Sequence, residues 1–579
     1  MSYTPARDFA ALLNALKRPD AFPFALPPDT EISLVQTHAS AVLLTPRYVY
    51  KLKKPLNFGF FDYSTPARRR HFCGQEVLLN TRLAPQIYLG VAPVLAFAPQ
   101  IIRFGPMLQP ASVPEPGSMF DGGEVIDYAV VMVRLPDEAT LEAHIHAGSA
   151  TPTLLAEVAR VVAAFHDTAR TDEHIASFGG LDVIRGNWEE NFAQMKPYIG
   201  RCISAAAYER IATYIRRFMD ARASLFTERI RNGRIRDCHG DLRLQHVYFL
   251  AQVKVPDHPL PPLAVLDCIE FNERFRYSDV AAEIAFLTME LDAIGRNDLS
   301  QVFIDRYIAA TGDAALRELL PFYACYRACV RGKVSSFQLE EPEIPELQRE
   351  RVRQEASMLF DLAASYASGP TTPTVLIVGG LMGTGKSTLA RALQRQLGWA
   401  LFSSDTMRKQ LAGLEPEQPS ADEFGKGLYS AEWTARTYAA LRAEVASALS
   451  TGRSALLDAS FLRRAERQAL VQIAAAHNAQ VIFVECTCPR EVVLQRLARR
   501  WEQRVQGKRT SCAGSAQASD GRPELYDKQR ANWEELDASE KAVMQQYVLA
   551  TTRPLAVNIE QVLDCLQMPR LTCFIGPTR

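Results

Sequence analysis

Short apolar runs separated by helical segments organise the last third of the chain. Val375-Leu376-Ile377-Val378, Ala455-Leu456-Leu457 and Val481-Ile482-Phe483-Val484 have strand length and no alternation. Strands covered on both faces read this way, so the pattern predicts a parallel sheet flanked by helices. Before about Phe120 the strand-like runs differ. In Tyr48-Val49-Tyr50-Lys51-Leu52-Lys53 the alternation puts Val49, Lys51 and Lys53 on one face. Thr65 to Leu83 reads as a helix started by Pro66, with Glu76 on the same face as Phe72, Cys73, Leu79 and Leu83. Helical periodicity returns near Thr151 with Leu154-Leu155-Ala156-Glu157-Val158-Ala159. The expected order is a small β-rich lobe, a helical lobe, and an α/β domain.

Proline and charge place the boundary between them. Leu339-Glu340-Glu341-Pro342-Glu343-Ile344-Pro345 precedes a helical stretch to about Ala367, and Ser368-Gly369-Pro370-Thr371-Thr372-Pro373 follows. The division is 1–340, a helix and linker over 341–372, and 373–579, within the two to four units expected of 579 residues. No internal repeat is present, and Ser511 to Ser519 reads as a lid or a loose surface loop.

Charge narrows the classes of partner. Lys plus Arg and Asp plus Glu each number 65, which argues against a long polyanion or an anionic membrane as main partner. Cys238, Cys268, Cys325 and Cys329 sit among apolar residues, and Cys486-Thr487-Cys488 has no second pair at metal-site spacing. Met1 to Leu16 has no signal-peptide pattern, and no apolar run is long enough to span a bilayer. A soluble, cytoplasmic protein with reduced thiols is expected, with its oligomeric state open.

Chemistry is most legible at Gly380-Leu381-Met382-Gly383-Thr384-Gly385-Lys386-Ser387-Thr388, where a buried strand runs into glycines and then a helix. Free N–H groups there can surround ATP phosphates, with Lys386 on the β- and γ-phosphates and Ser387 on Mg²⁺. Asp405 ends a short strand with Arg408 three residues on, a general base and an anion clamp; the bland reading is an N-cap with a solvated arginine. Asp458 closes Ala455-Leu456-Leu457 where an acidic Mg²⁺ ligand is expected. Arg496 and Arg500 share a helical face and are candidates for stabilising the phosphoryl group in flight, against a solvated basic helix as the alternative. The Ser404-Asp405-x-x-Arg408 element and the P-loop together resemble the small P-loop kinases that phosphorylate hydroxyls, among them gluconate kinase, the zeta-toxin-like kinases and the kinase module of polynucleotide kinases. That resemblance implies Asp405 as base and Arg408 as substrate clamp.

A second set of motifs lies upstream. Cys238-His239-Gly240-Asp241-Leu242-Arg243-Leu244-Gln245-His246, then Val265-Leu266-Asp267-Cys268-Ile269-Glu270-Phe271, resembles the catalytic loop and metal strand of aminoglycoside phosphotransferases and related protein-kinase-like enzymes. Asp241 would be the base and Asp267 the metal ligand, with Lys51 paired to Glu76. The whole chain is similar to a bacterial fusion of an aminoglycoside phosphotransferase-like domain with a P-loop kinase. It implies a bilobal kinase-like fold followed by a P-loop sheet, with ATP, Mg²⁺ and small-molecule hydroxyl acceptors. Two departures stand out. His246 occupies the position of a metal-binding Asn, and no glycine precedes Gly59, so Thr37-His38-Ala39-Ser40 replaces a Gly-rich loop and Ser40 is its candidate phosphate donor. Arg327, Arg331 and Lys333 are read as anion binders or a solvated face, and His166 as a packed core histidine. A bifunctional kinase leads. A P-loop kinase controlled by a ligand-sensing pseudokinase and a nucleic-acid end kinase are the alternatives, the last disfavoured by the balanced charge.

Overall fold

The computed structural model describes residues 5–59, 61–98, 101–255, 258–340, 344–367, 373–414, 427–450, 453–505 and 522–566. Contacts divide the chain into two units: Met1–Gln194, Arg216–Glu290 and Phe303–Arg327 form one, and Met195–Ile215, Leu291–Val302 and Ala328–Arg579 the other. Parts of both linker segments and the stretch Ser511 to Ser519 lie outside the described residues.

In the first unit the alternating segments pair into an antiparallel sheet in the order Ser33–Gln36, Ser40–Leu44, Tyr48–Lys53, Gly123–Val133, Tyr88–Ala98, Ile101–Phe104; Met119–Phe120 also pairs with Gly123–Val133. Alternation sorts the faces. Tyr50 and Leu52 pack with Leu43, Phe104 and Phe9 on one side, while Cys73 and Val77 of the helix Pro66–Asn80 cover Val91, Tyr128 and Val130 on the other. That helix begins as its sequence dictates. Pro66 is in the first turn, and Thr65 Oγ1 accepts from the Arg68 N–H at 3.3 Å. The helix Pro152–Thr168 follows Thr151, which caps it in the same way. Two short antiparallel pairs, Ile235–Asp237 with Tyr277–Asp279 and Val247–Phe249 with Leu263–Val265, frame the loops carrying Asp241 and Asp267.

Two sequence expectations change here. Ser40 is buried in a tight turn, where its N–H donates to Thr37 Oγ1 at 3.0 Å, so it has no free backbone donor for a phosphate. Arg327 is neither solvated nor aimed at an acceptor: it is buried, its Nε donates to the Ala282 carbonyl at 3.0 Å, and its guanidinium lies 4.7 Å from the Phe286 ring centre.

The second unit contains a five-stranded, all-parallel sheet in the order Ala400–Ser403, Ala455–Asp458, Thr374–Gly379, Gln480–Thr487, Gln545–Ala550. The central strand is buried at every position, as its unbroken apolar run requires. One face packs Ile377 and Leu457 on Leu441 and Val445; the other packs Leu376 and Leu456 on Leu389 and Leu393. No helix among the described residues is long and apolar enough to cross a membrane, and Cys238, Cys268, Cys325, Cys329 and Cys486 are buried free thiols.

Candidate active sites

The strand Thr374–Gly379 delivers the P-loop to the carboxyl edge of the parallel sheet, the edge at which such sheets bind ligands. Gly380, Gly383 and Gly385 have φ of 120, 76 and 93°, a region that only glycine enters without strain. Close packing reinforces the requirement: a Cβ on Gly380 would sit 2.6 Å from the Cys486 carbonyl oxygen, and one on Gly383 2.8 Å from Val493 Cγ1. The loop then enters the helix Lys386–Leu397, whose first N–H groups are left for an anion. Lys386 Nζ donates to the Leu381 carbonyl at 2.8 Å, and Thr384 Oγ1 donates to the same oxygen at 2.7 Å. Across the loop, Thr551 Oγ1 donates to the Thr384 carbonyl at 2.5 Å and Arg496 Nη2 to the Thr551 carbonyl at 3.0 Å. Burial lowers the Lys386 pKa against the opposing charge of Asp458, and burial raises Asp458 against Lys386 and a hydrogen bond with Ser387. The hydroxyl of Ser387 and the carboxylate of Asp458 are hard oxygen donors, which fit Mg²⁺.

Beside the loop is a cavity of about 340 Å³ whose lining includes Lys386, Ser387, Asp405, Arg408, Asp458 and Arg500. Asp405 stands in the first turn of the helix Ser404–Leu411, and the N-cap is Ser403, so Asp405 is not the cap. Arg408 is buried, 3.5 Å from Asp405 Oδ1, with its guanidinium 4.6 Å from the Tyr429 ring centre. Arg391, Arg463 and Glu466 complete the charged wall. An adjoining cavity of about 360 Å³ is lined by Gly383, Gly385, Thr388, Arg496, Arg499 and Arg500 among others. Lys386, Ser387, Asp405, Arg408, Asp458 and Arg500 therefore meet in one cavity, and Arg496 braces the loop from the next.

In the first unit the charges on Tyr48–Lys53 converge on the helix Pro66–Asn80. Lys51 Nζ is 2.9 Å from Glu76 Oε1 and 2.7 Å from Asp267 Oδ1. Lys53, fully buried, donates to Glu76 Oε2 at 2.6 Å and pairs with Glu270, which also accepts from Tyr63 Oη at 2.6 Å. Both lysines thus meet Glu76, where the sequence suggested Lys51 alone. The backbone N–H of Asp267, at φ 65°, donates to Tyr88 Oη at 3.1 Å. Burial raises the Asp267 carboxyl, but the charges of Lys51 and His246 outweigh it and hold the group well below the usual carboxylate range. Asp241 is shifted upward by burial, against His246 and Arg243. Glu283, buried and 44 and 43 positions beyond His239 and Gly240, fixes the turn: its Oε2 accepts from the N–H groups of His239 at 2.6 Å and Gly240 at 2.9 Å. Its Oε1 lies 3.0 Å from His166 Nε2, whose ring is held by Tyr307 Oη at 2.8 Å from Nδ1.

The chain is 30% identical over 471 residues, 81% of its own length and 86% of the relative's, to the uncharacterized protein Rv2004c of Mycobacterium tuberculosis. The chain belongs to this family. Residues 375–520 match the AAA domain family. A stretch of 146 residues, 25% of this chain and 73% of the relative, is 34% identical to the shikimate kinase of Nitratidesulfovibrio vulgaris. The structure of a sugar kinase from Janibacter sp. HTCC2649 aligns at 21% identity and a TM-score of 0.24, covering 34% of this chain and 96% of that one. The C-terminal part is thus a P-loop kinase-like domain in a mixed α/β chain.

Sequence reading missed the residues that buttress this family member's loops. Glu270 was visible as a carboxylate after an apolar strand, but Lys53 and Tyr63, which hold it, lie more than two hundred residues away. Glu283 and His166 are separated by 117 positions, and no local pattern joins them. Thr551 and Gln529, which accept or donate across the P-loop, carry no motif; Gln529 Oε1 accepts from the Met382 N–H at 2.6 Å.

Proposed function

We propose that the chain is an ATP-dependent phosphotransferase whose C-terminal site, in residues 373–579, transfers the γ-phosphoryl group to a hydroxyl of a small anionic molecule. The observation that carries this is the shared cavity in which the phosphate-binding Lys386 and Ser387 face the base-and-clamp pair Asp405 and Arg408. Asp405 takes the proton of the acceptor hydroxyl as its oxygen bonds to the γ-phosphorus, and the bridging oxygen departs with ADP. Lys386, with Arg500 and the P-loop N–H groups, stabilises the charge that spreads over the transferring group. Mg²⁺, held by Ser387 and Asp458, would neutralise phosphate charge. Arg391, Arg408 and Arg463 outnumber the carboxylates Asp405 and Glu466 in the cavity wall, which favours an acceptor bearing a carboxylate or phosphate.

For residues 1–340 we infer a kinase-like domain using Lys51, Glu76, Asp241 and Asp267, which would make the protein a bifunctional, cytoplasmic kinase. The buried Ser40 turn in place of a Gly-rich loop favours a second reading, a nucleotide- or ligand-sensing domain that regulates the P-loop site. Transfer of labelled γ-phosphate to a fractionated metabolite pool by wild type, Lys386→Ala and Asp241→Ala separates them. Loss of a different product in each variant supports two kinases. Loss of all transfer in Lys386→Ala with none in Asp241→Ala supports the sensor. Undiminished transfer in Lys386→Ala would refute the C-terminal assignment.

A further inference from the structure

The N-terminal cluster does not have the donor set Mg²⁺ prefers. Magnesium takes oxygen ligands and holds most of its waters, whereas imidazole suits first-row transition ions. Here one donor is a ring nitrogen, and the structure fixes which one. The amide nitrogen of Gln245 can only donate, and it lies 3.0 Å from His246 Nε2, so Nε2 carries the lone pair, which an ion would take over from the exposed Gln245 side chain. The proton is then on Nδ1, which donates to the Asp241 carbonyl at 2.9 Å. A histidine whose far nitrogen is tied to a backbone carbonyl is the arrangement that orients metal-ligating imidazoles.

Nε2 also lies beside Asp267. Its distance to Asp267 Oδ2 is 3.7 Å, within the separation of roughly 3–4 Å that two donors about 2.1 Å from one ion can have. The other carboxylate oxygen, Oδ1, is taken by Lys51 at 2.7 Å, so the two oxygens of Asp267 are divided between the lysine and the histidine side. Asp241 supplies a third donor, its Oδ2 lying 3.4 Å from His246 Nδ1, and one ligand atom from each of Asp241, His246 and Asp267 lies within 4.8 Å of the others. His246 is itself buried on a short turn, Leu244–His246, so its ring cannot swing to water as the exposed Gln245 can. Charge agrees with this placement: the carboxylates Glu76, Glu270, Asp241 and Asp267 outnumber Lys51 and Lys53 by two when all are ionised, and Arg243, a further cation beside Asp241, is itself paired with Glu290.

We propose that this site binds a first-row transition-metal dication through His246 Nε2, Asp267 Oδ2 and an Asp241 carboxylate oxygen, in preference to Mg²⁺. It deepens the reading of residues 1–340 as a nucleotide-using domain and rests on that reading for its role, though not for its detection. Mn²⁺ alone, without nucleotide or acceptor, is the probe. In the full-length protein, pulsed paramagnetic resonance of bound Mn²⁺ should show an imidazole-nitrogen coupling. A tenfold excess of Mg²⁺ should leave the coupling in place, and both His246→Asn and Asp267→Asn should remove it. The C-terminal donors Ser387 and Asp458 bring only oxygen, so they do not contribute this signal. Absence of nitrogen coupling in the wild type, its displacement by equimolar Mg²⁺, or its survival in His246→Asn overturns the proposal. The outcomes separate from those of the kinase reading. Nitrogen-bound Mn²⁺ without any transfer lost in Asp241→Ala leaves the metal site standing and refutes N-terminal catalysis; Mg²⁺-supported transfer lost in Asp241→Ala with no nitrogen coupling does the reverse.

Discussion

Replacing Glu283 tests whether the Asp241 loop is held by one buried carboxylate. Glu283 is 1% exposed, and its two oxygens serve the N–H groups of His239 and Gly240 and the ring of His166. In Glu283→Ala both amides and the imidazole lose their partner inside the protein. At about 1–2 kcal/mol for each of the three buried groups left unsatisfied, the loop loses roughly 3–6 kcal/mol. Glu283→Gln is gentler. Its carbonyl oxygen still accepts from the amides, and its NH₂ can donate to His166 Nε2 once the ring proton moves to Nδ1 beside Tyr307, leaving a loss of about 1–2 kcal/mol from the missing charge. Amide hydrogen exchange at His239 and Gly240 reads this locally, which matters because a chain with two units does not unfold in one step. Protection should fall by about 10²–10⁴-fold in the alanine variant and by about tenfold in the glutamine variant. Protonation should act like removal. Burial raises the Glu283 pKa, but the hydrogen bond and charge of His166 bring it down to about 2, from 4.5. A depressed carboxyl contributes its full stabilisation above pH 4.5 and loses it as pH falls toward 2. Protection within threefold of wild type in Glu283→Ala would refute the argument.

Asp292 behaves in the opposite sense: burial raises its pKa to about 6 from 3.8, against a hydrogen bond from Tyr366 Oη at 2.6 Å. Its raised pKa contributes stability below pH 3.8 that is lost as pH climbs through 6, by at most about 3 kcal/mol, so Asp292→Asn should remove that slope in denaturation measured across this window. Gly383→Ala puts a Cβ 2.8 Å from Val493 Cγ1 at a φ of 76°; calorimetry should show ATP affinity at the P-loop falling at least tenfold, from about 1–2 kcal/mol of backbone strain plus the clash. Arg408→Lys keeps the charge but loses the guanidinium 4.6 Å over the Tyr429 ring, and under the proposed function KM for an anionic acceptor should rise about tenfold while ATP affinity is unchanged.

What could be read from the sequence was what the backbone or a short period encodes. The P-loop is legible because three left-handed glycines and a strand-to-helix transition are local requirements. Lys51 and Glu76 are legible because one alternates out of a strand and the other interrupts an apolar helix face, and each needs a partner. The sequence leaves Lys53 without an assigned partner for a physical reason: residues two apart on a strand point the same way, and a carboxylate with two oxygens can serve both, as Glu76 does. Arg327 failed because a charged residue at helical spacing looks the same whether it meets water or a buried carbonyl, and only the packing of Ala282 and Phe286 decides.

The two sites carry opposite charge imbalances, and this bears on what each can receive. In the C-terminal cavity Lys386, Arg391, Arg408, Arg463 and Arg500 face Asp405, Asp458 and Glu466, an excess of cations at the mouth of a helix whose N–H groups also favour an anion. Phosphate can therefore enter that site on protein charge alone, with the metal as a refinement of the arriving nucleotide. In the N-terminal cluster the imbalance is reversed, and no glycine loop supplies N–H groups in compensation. A polyphosphate approaching Asp241 and Asp267 there meets repulsion unless a cation arrives first or with it. Metal binding at the N-terminal site should accordingly be detectable without nucleotide, while nucleotide binding at the C-terminal site should be detectable without metal. Reversal of that order at either site would show that charge lining is not what governs entry.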